Sequence, residues 1–185
     1  MHITNNYKKM KHVMIDIETM GNMSHSAIVS VGAVRFDLET GEVGEKFYMN
    51  VDLQSCLDAG LIINADTLMW WLNQSEAARK KIIEKGHSLN KVLISLSAFV
   101  TKDDQVWGNS ARFDLGILSD AFNTLRMPIP WDFRKERCVR TLVSFAPEVK
   151  EQEPNTGVAH DALADCIFQI NYCSKIYKKL KDGSK

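Results

Sequence analysis

The sequence predicts an α/β domain in which helices flank a mixed central β-sheet. The first third of the chain has short runs of Val and Ile, separated by turn residues at Gly21-Asn22 and Thr40-Gly41. Later segments instead space their apolar residues as helices do. Strands that precede helices, with a further short strand between helices, are typical of this fold class.

Three strands are predicted early in the chain, at 13–19, 27–36 and 46–51, and the second and third form an antiparallel hairpin. A short fourth strand is expected at 105–107. The pattern between 137 and 145 fits either a strand or a helix, and both remain open. Residues 147–157 are predicted to form a polar loop, whereas 52–64 carry no specific signal.

Five helices are predicted from capping residues and apolar spacing. They begin at Asn64-Ala65-Asp66, Ser75-Glu76, Ser88, Asp114 and His160, and they end near Leu72, Glu84, Val100, Leu125 and Leu180. The chain of 185 residues suits a single domain, for which we expect the bounds 12–181. Residues 1–11 are expected to be a flexible lead-in and 182–185 a tail.

Composition limits the functional classes. Lys+Arg and Asp+Glu are both 23, so the formal net charge is zero, which argues against a protein held to nucleic acid by bulk positive charge alone. No window approaches the roughly 18 apolar residues of a membrane span, and residues 1–12 lack the apolar core of a signal peptide. The four cysteines are scattered, which argues against disulfides and structural zinc and predicts a cytoplasmic location.

The first strand ends with two carboxylates on one face. Because strand side chains alternate, Asp16 and Glu18 lie on the side of Met14, opposite Val13, Ile15 and Ile17. Burying adjacent like charges costs several kcal/mol unless a cation is present. A divalent metal ion would remove this cost, whereas solvation of a strand end is the alternative.

Two further acidic positions occur at predicted helix starts. Asp114 follows Trp107-Gly108-Asn109, and His160 and Asp165 open the last helix. Each could be an ordinary cap or dipole partner. Five positions correspond to about 140° around a helix, so His160 and Asp165 can share a site only if His160 lies off the helical path.

The order D-x-E, N-x(4)-D and H-x(4)-D resembles the DEDDh family of 3′→5′ exonucleases, which have a ribonuclease H-like fold. The motifs span residues 16–165, and all five motif positions match. The local sequence is similar to the phage exonuclease A and RNase AS branches at Glu18-Thr19-Met20-Gly21, Trp70-Trp71-Leu72-Asn73-Gln74-Ser75, Arg112-Phe113-Asp114 and Ala159-His160-Asp161.

The resemblance implies that Asp16, Glu18, Asp114 and Asp165 hold two Mg²⁺ or Mn²⁺ ions and that His160 is the general base. Carboxylate oxygens suit these cations, and a histidine titrates near neutral pH. The implied substrates are 3′ ends of single-stranded DNA or RNA, with DNA favoured by the phage branch. Related enzymes are often dimers, so a homodimer is also expected.

Six residues are candidates for contacting the substrate. Adjacent helix positions are about 100° apart, so Trp70 and Trp71 cannot be equally buried, and the exposed one could stack on a terminal base. Thr19 and Met20 follow the first carboxylates and could contact the last nucleotide. Asn109 could cap the Asp114 helix or orient a ligand. Arg140 belongs to a basic segment, 134–140, that could contact phosphates, while Asp161 is expected to be a helix cap.

Two other functions are compatible with parts of the sequence. An HD-type nucleotide phosphohydrolase would use His160-Asp161, but it needs further histidines at its metals, and those available lie in unsuitable contexts. A binding or accessory module could keep the fold without catalysis, although binding alone does not require His160.

Overall fold

The computed structural model describes residues 10–154 and 160–183. Its five strands are β1 (His12–Thr19), β2 (Ile28–Phe36), β3 (Val43–Asn50), β4 (Gln105–Gly108) and β5 (Glu136–Cys138). They form one sheet in the order β3-β2-β1-β4-β5. Strands β1, β2 and β3 pair antiparallel, while β4 and β5 run parallel to β1. The predicted mixed sheet is therefore confirmed, with β1 at its centre.

The helices are α1 (Leu53–Asp58), α2 (Ala65–Leu72), α3 (Glu76–Ile83), α4 (Leu89–Phe99), α5 (Ala111–Thr124), α6 (Val139–Val143), α7 (Pro147–Glu151) and α8 (Ala162–Asp182). Asn64, Ser75 and Ser88 cap α2, α3 and α4 through their side chains, as the sequence predicts. None of the helices in the described part of the chain is both long and apolar enough to cross a membrane.

Two apolar layers cover the sheet. Val13, Ile15 and Ile17 pack on one face against residues of α4 and α5, whereas Met14 packs on the other face against α8. This alternation confirms the predicted division of β1 and places Asp16 and Glu18 on the α8 face. All four cysteines are free thiols.

Several expected boundaries differ from the structure. Residues 137–145 contain the end of β5 followed by α6, so both open alternatives are partly right. The loop predicted at 147–157 is wrong at its start, because Pro147 occupies the first turn of α7, where its missing N–H costs nothing. Helix α1 lacked a sequence signal, and β3 begins at Val43 instead of Lys46. Residues 1–9 of the lead-in, 155–157 of the loop, Ala159 of the last motif and 184–185 of the tail lie outside the described residues.

Gly32 of β2 determines how closely α8 approaches the sheet. A Cβ at this position would lie 2.6 Å from the carbonyl carbon of Ala162 and 2.8 Å from the nitrogen of Leu163. These are backbone atoms of the first turn of α8, so they cannot rotate away. Only glycine allows the helix to start this close to β1 and β2.

We predict that Gly32→Ala destabilises the protein by about 1–3 kcal/mol, because the added methyl group forces α8 outward. The matched control is Gly116→Ala inside α5, where the nearest heavy atom is 4.0 Å from the new Cβ. This control should be neutral or stabilising by up to about 1 kcal/mol. Urea denaturation measures both changes, and equal stabilities for the two variants would contradict the role of Gly32.

Candidate active site

Three carboxylates converge at the C-terminal end of β1. One oxygen each from Asp16, Glu18 and Asp165 lies within 4.8 Å of the others. The first two project from β1, and Asp165 is in the first turn of α8. The fold therefore brings together acidic groups that are far apart in sequence.

Asp114 lies beside this cluster at the start of α5 and is 1% exposed. Its Oδ1 accepts a hydrogen bond from the backbone nitrogen of Ile17 (3.3 Å), and its Oδ2 accepts one from that of Asn109 (2.6 Å). Ile17 separates the two acidic residues of β1, so this bond joins α5 to the acidic strand. A Cβ at Gly108 would lie 3.0 Å from the Cβ of Asp114, so a larger residue there would press on this side chain.

Burial and mutual repulsion raise the pKa values of the acidic groups. Burial first, and then the charges of Asp114, Glu18 and Asp165, raise the pKa of Asp16 well above its usual value. Burial and the neighbouring carboxylates raise the pKa of Glu18 to about 8. Burial also raises the pKa of Asp114 to about 7, although its two backbone hydrogen bonds oppose this. A hard divalent cation with oxygen ligands fits this donor set, because it would neutralise the repulsion.

Gln169 belongs to the site but was missed by sequence reasoning. Its Nε2 donates to Oδ1 of Asp16 at 2.7 Å. Its Oε1 is buried without a hydrogen-bond partner among the described residues. Gln169 lies four positions after Asp165, so it lies on the same face of α8, and this spacing was the available signal.

His160 lies outside α8, which begins at Ala162 and not at His160 as predicted. This is the position off the helical path that a site shared with Asp165 requires. Asp161 is the N-cap, and its carboxylate accepts hydrogen bonds from the nitrogens of Leu163 and Ala164, which confirms its predicted role. The φ of His160 is +63°, in the left-handed region. Its ring lies edge-to-face with Trp70 and Trp71, at centroid distances of 4.8 Å and 5.9 Å.

The two tryptophans differ in exposure. Trp71 is 1% exposed and its Nε1 donates to the carbonyl of Thr19, whereas Trp70 is 43% exposed. Thr19 and Met20, expected to contact the nucleotide, are themselves buried, and the Thr19 hydroxyl donates to the carbonyl of Gly21. Trp70 is therefore the tryptophan that is available for stacking, and a contact of Thr19 or Met20 with the last nucleotide, through the backbone or an apolar surface, stays a prediction.

The expected cap at Asn109 is wrong, because Ser110 caps α5 by accepting from the nitrogen of Phe113. Asn109 instead orients Asp114 through its backbone. The basic segment 134–140 is also divided by the fold. Arg137 lines a cavity with His12 at the N-terminal end of β1, whereas Arg140 in α6 donates to the carbonyl of Asn109 at 3.5 Å.

Comparison with known proteins shows which family the chain belongs to. The model of the 3′-5′ exoribonuclease Rv2179c-like domain matches residues 11–177. The chain belongs to this family. It is therefore a 3′→5′ exonuclease that acts on nucleic acid.

Relatives of this exonuclease domain share its fold. The chain is 24% identical to the exodeoxyribonuclease of Enterobacteria phage T4, over 92% of each protein. It superposes on E. coli exonuclease I in complex with a dT13 oligonucleotide with a TM-score of 0.68 and 16% identity, covering 92% of this chain but only 42% of that one. The nuclease domain of 3′hExo, a DEDDh family member bound to rAMP, gives a TM-score of 0.59 and 13% identity, with 93% and 92% coverage. The fold is therefore that of the ribonuclease H-like DEDDh exonucleases.

The raised pKa values predict how stability of this exonuclease depends on pH without divalent ions. Glu18 and Asp114 bind protons in the folded state at a pH where the unfolded chain does not. Stability should therefore rise as the pH falls from 8.5 to 6.5, by about 1.4 kcal/mol per pH unit for each proton that the folded state binds in excess of the unfolded chain. Thermal unfolding in EDTA measures this slope.

Saturating Mg²⁺ should raise the melting temperature and flatten the slope, because the cation replaces the protons. The Glu18→Gln variant should reduce the slope of stability against pH when no divalent ion is present. If the melting temperature in EDTA instead decreases as the pH is lowered from 8.5 to 6.5, the acidic cluster is not the origin of the pH dependence.

Proposed function

We propose that the protein hydrolyses the terminal phosphodiester bond at 3′ ends of single-stranded DNA and releases nucleoside 5′-monophosphates with the help of two divalent ions. The observation that carries the proposal is the convergence of the Asp16, Glu18 and Asp165 carboxylates within 4.8 Å, with Asp114 buried beside them. No other group of three or more His, Cys, Asp or Glu side chains with this spacing occurs in residues 10–154 and 160–183.

The four carboxylates would hold Mg²⁺ or Mn²⁺. When bound, such ions lower the pKa of water and stabilise the charge on the phosphate and on the leaving oxygen. Hydrogen bonds from Gln169 to Asp16, and from two backbone nitrogens to Asp114, fix the carboxylates before the substrate arrives. This preorganisation lowers the cost of assembling the site during the reaction.

His160 is the general base in this proposal. It accepts the proton of the attacking water on a ring nitrogen, for which an imidazole is suited near neutral pH. Its left-handed backbone and its edge-to-face contacts with Trp70 and Trp71 orient the ring. Trp70, which is 43% exposed, is the proposed stacking partner for the base of the terminal nucleotide, and stacking of this kind contributes about 1–3 kcal/mol.

DNA is the proposed substrate because the relative that matches nearly the whole chain is an exodeoxyribonuclease. RNA of the RNase AS type is the second candidate, which the description of the matching family favours. A protein distinguishes the two through the 2′-hydroxyl. Matched oligonucleotides of one sequence, labelled at the 3′ or the 5′ end, test the choice with Mg²⁺ and with EDTA.

The proposal expects immediate release of labelled mononucleotide from the 3′-labelled DNA, abolished by EDTA, and a lower rate on the matched RNA. A higher rate on RNA would replace DNA by RNA as the substrate. Release that persists in EDTA would refute the metal assignment.

We predict that His160→Asn lowers the rate by about 10²-fold or more while Mn²⁺ binding is retained. Asparagine tolerates a positive φ, so this variant removes the proton acceptor without straining the backbone. The control is His87→Ala, an exposed histidine whose ring contacts Lys91. Loss of Mn²⁺ binding in His160→Asn would instead identify His160 as a metal ligand.

A further inference from the structure

A cavity of about 440 Å³ opens next to the acidic cluster, between the loop that follows β1 and the start of α5. Its walls include Met23, Ser110, Arg112, Phe113 and Arg140. It combines two cationic groups with a hydroxyl, an aromatic ring and an apolar side chain that is 65% exposed (Met23). Positive charge next to aromatic and apolar surface is the chemistry that recognises a single strand of nucleic acid.

The two guanidinium groups of this cavity are available to bind an anion. Arg112 and Arg140 are both exposed, and neither forms an ion pair with a described residue. Arg35, by contrast, is committed to both oxygens of Asp104. Arg140 donates to Asn109, whose nitrogen donates to Asp114, so the cavity adjoins the acidic cluster.

The cavity and His160 lie on opposite sides of β1. The turn that carries His160 leads into α8, and α8 starts over Gly32 of β2. The next residue, Asp161, forms an ion pair with Lys81. Lys81 in turn lies over the ring of Tyr48 of β3. Arg112 belongs to α5, which follows β4, and Arg140 belongs to α6, which follows β5. Since the sheet order is β3-β2-β1-β4-β5, the acidic residues of β1 lie between the two groups.

In-line displacement at phosphorus relates this arrangement to the path of the strand. A bond forms between the water oxygen and phosphorus while the bond to the leaving 3′ oxygen breaks, and the two oxygens lie on opposite sides of phosphorus. The water gives its proton to His160, and the leaving oxygen takes one from solvent. The leaving oxygen, and the strand that it terminates, therefore point away from His160 and toward the cavity.

We propose that this cavity holds the part of the strand that remains after cleavage, with Arg112 and Arg140 clamping its first phosphate upstream of the scissile one. The proposal rests on the exonuclease function described above and assigns a direction to the substrate. The clamp binds phosphate, so it serves DNA and RNA equally. Phe113 and Met23 provide the surface for the penultimate base.

Two dinucleotides that differ by one phosphate test the clamp. The dinucleoside monophosphate NpN has the scissile phosphate alone, whereas pNpN adds the upstream phosphate. For the wild-type protein, kcat/KM should be about tenfold or more higher for pNpN, as expected for charge-assisted hydrogen bonds to a phosphate. In Arg112→Gln/Arg140→Gln this ratio, measured on one and the same variant, should fall to about one.

The matched control is Lys102→Gln/Arg126→Gln, which also removes two positive charges. One lies in the turn before β4 and the other in the segment just after α5. This control should keep the wild-type ratio. A double arginine variant that retains the wild-type preference for pNpN overturns the clamp.

A binding measurement separates failure of the clamp from failure of the proposed reaction. In the His160→Asn background, anisotropy of a 5′-labelled single strand gives Kd as a function of salt. Loss of both arginines should reduce the slope of log Kd against log salt by about 0.7, the contribution of the one phosphate that they neutralise on a single strand. An unchanged slope overturns the clamp whether or not the wild-type protein cleaves, whereas absence of cleavage with a reduced slope refutes only the reaction.

Discussion

The repulsion among closely spaced carboxylates is the constraint on which the rest of this structure depends. Two unit charges about 5 Å apart repel by about 3 kcal/mol at an effective dielectric constant of 20, and several such pairs meet at the end of β1. The folded chain accepts this cost at one place, and the raised pKa values of Asp16 and Glu18 are its direct consequence. A strand at the centre of the sheet can bear the strain because both of its edges are paired.

The surrounding scaffold serves to hold these groups together. Gly32 lets α8 bring Asp165 against β1, and Gly108 leaves room for Asp114. Backbone nitrogens hold both oxygens of Asp114, so its position is set by main-chain geometry. Asp161 begins α8 and leaves His160 just before the helix, beside the aromatic pair.

Much of the fold followed from local sequence signals, since strand alternation and helix caps depend on neighbouring residues. The central strand and the caps of α2, α3 and α4 are of this kind, whereas the last helix begins at Ala162 instead of at the predicted His160. Burial was harder to predict. Met20 and Trp71 pack in the core because α2 folds back onto the end of β1, a contact between distant segments. The cap at Ser110 was missed because the neighbouring Asn109 is also a residue type that caps helices. Helix α7, of five residues, was missed because its sequence was interpreted as a polar loop. The cavity beside Arg112 and Arg140 needs the order of strands, which the sequence does not contain.

The site is asymmetric across β1, with an imidazole and an exposed tryptophan on one flank and, on the other, two guanidinium groups that form no ion pair with a described residue. This asymmetry has chemical use only if cations occupy the acidic cluster between the flanks. Anomalous diffraction from crystals grown with Mn²⁺ measures this directly. Two peaks within bonding distance of the Asp16, Glu18, Asp114 and Asp165 carboxylates are predicted. Mn²⁺ peaks at other carboxylates, with none at these four, would contradict the binding of cations by the acidic cluster.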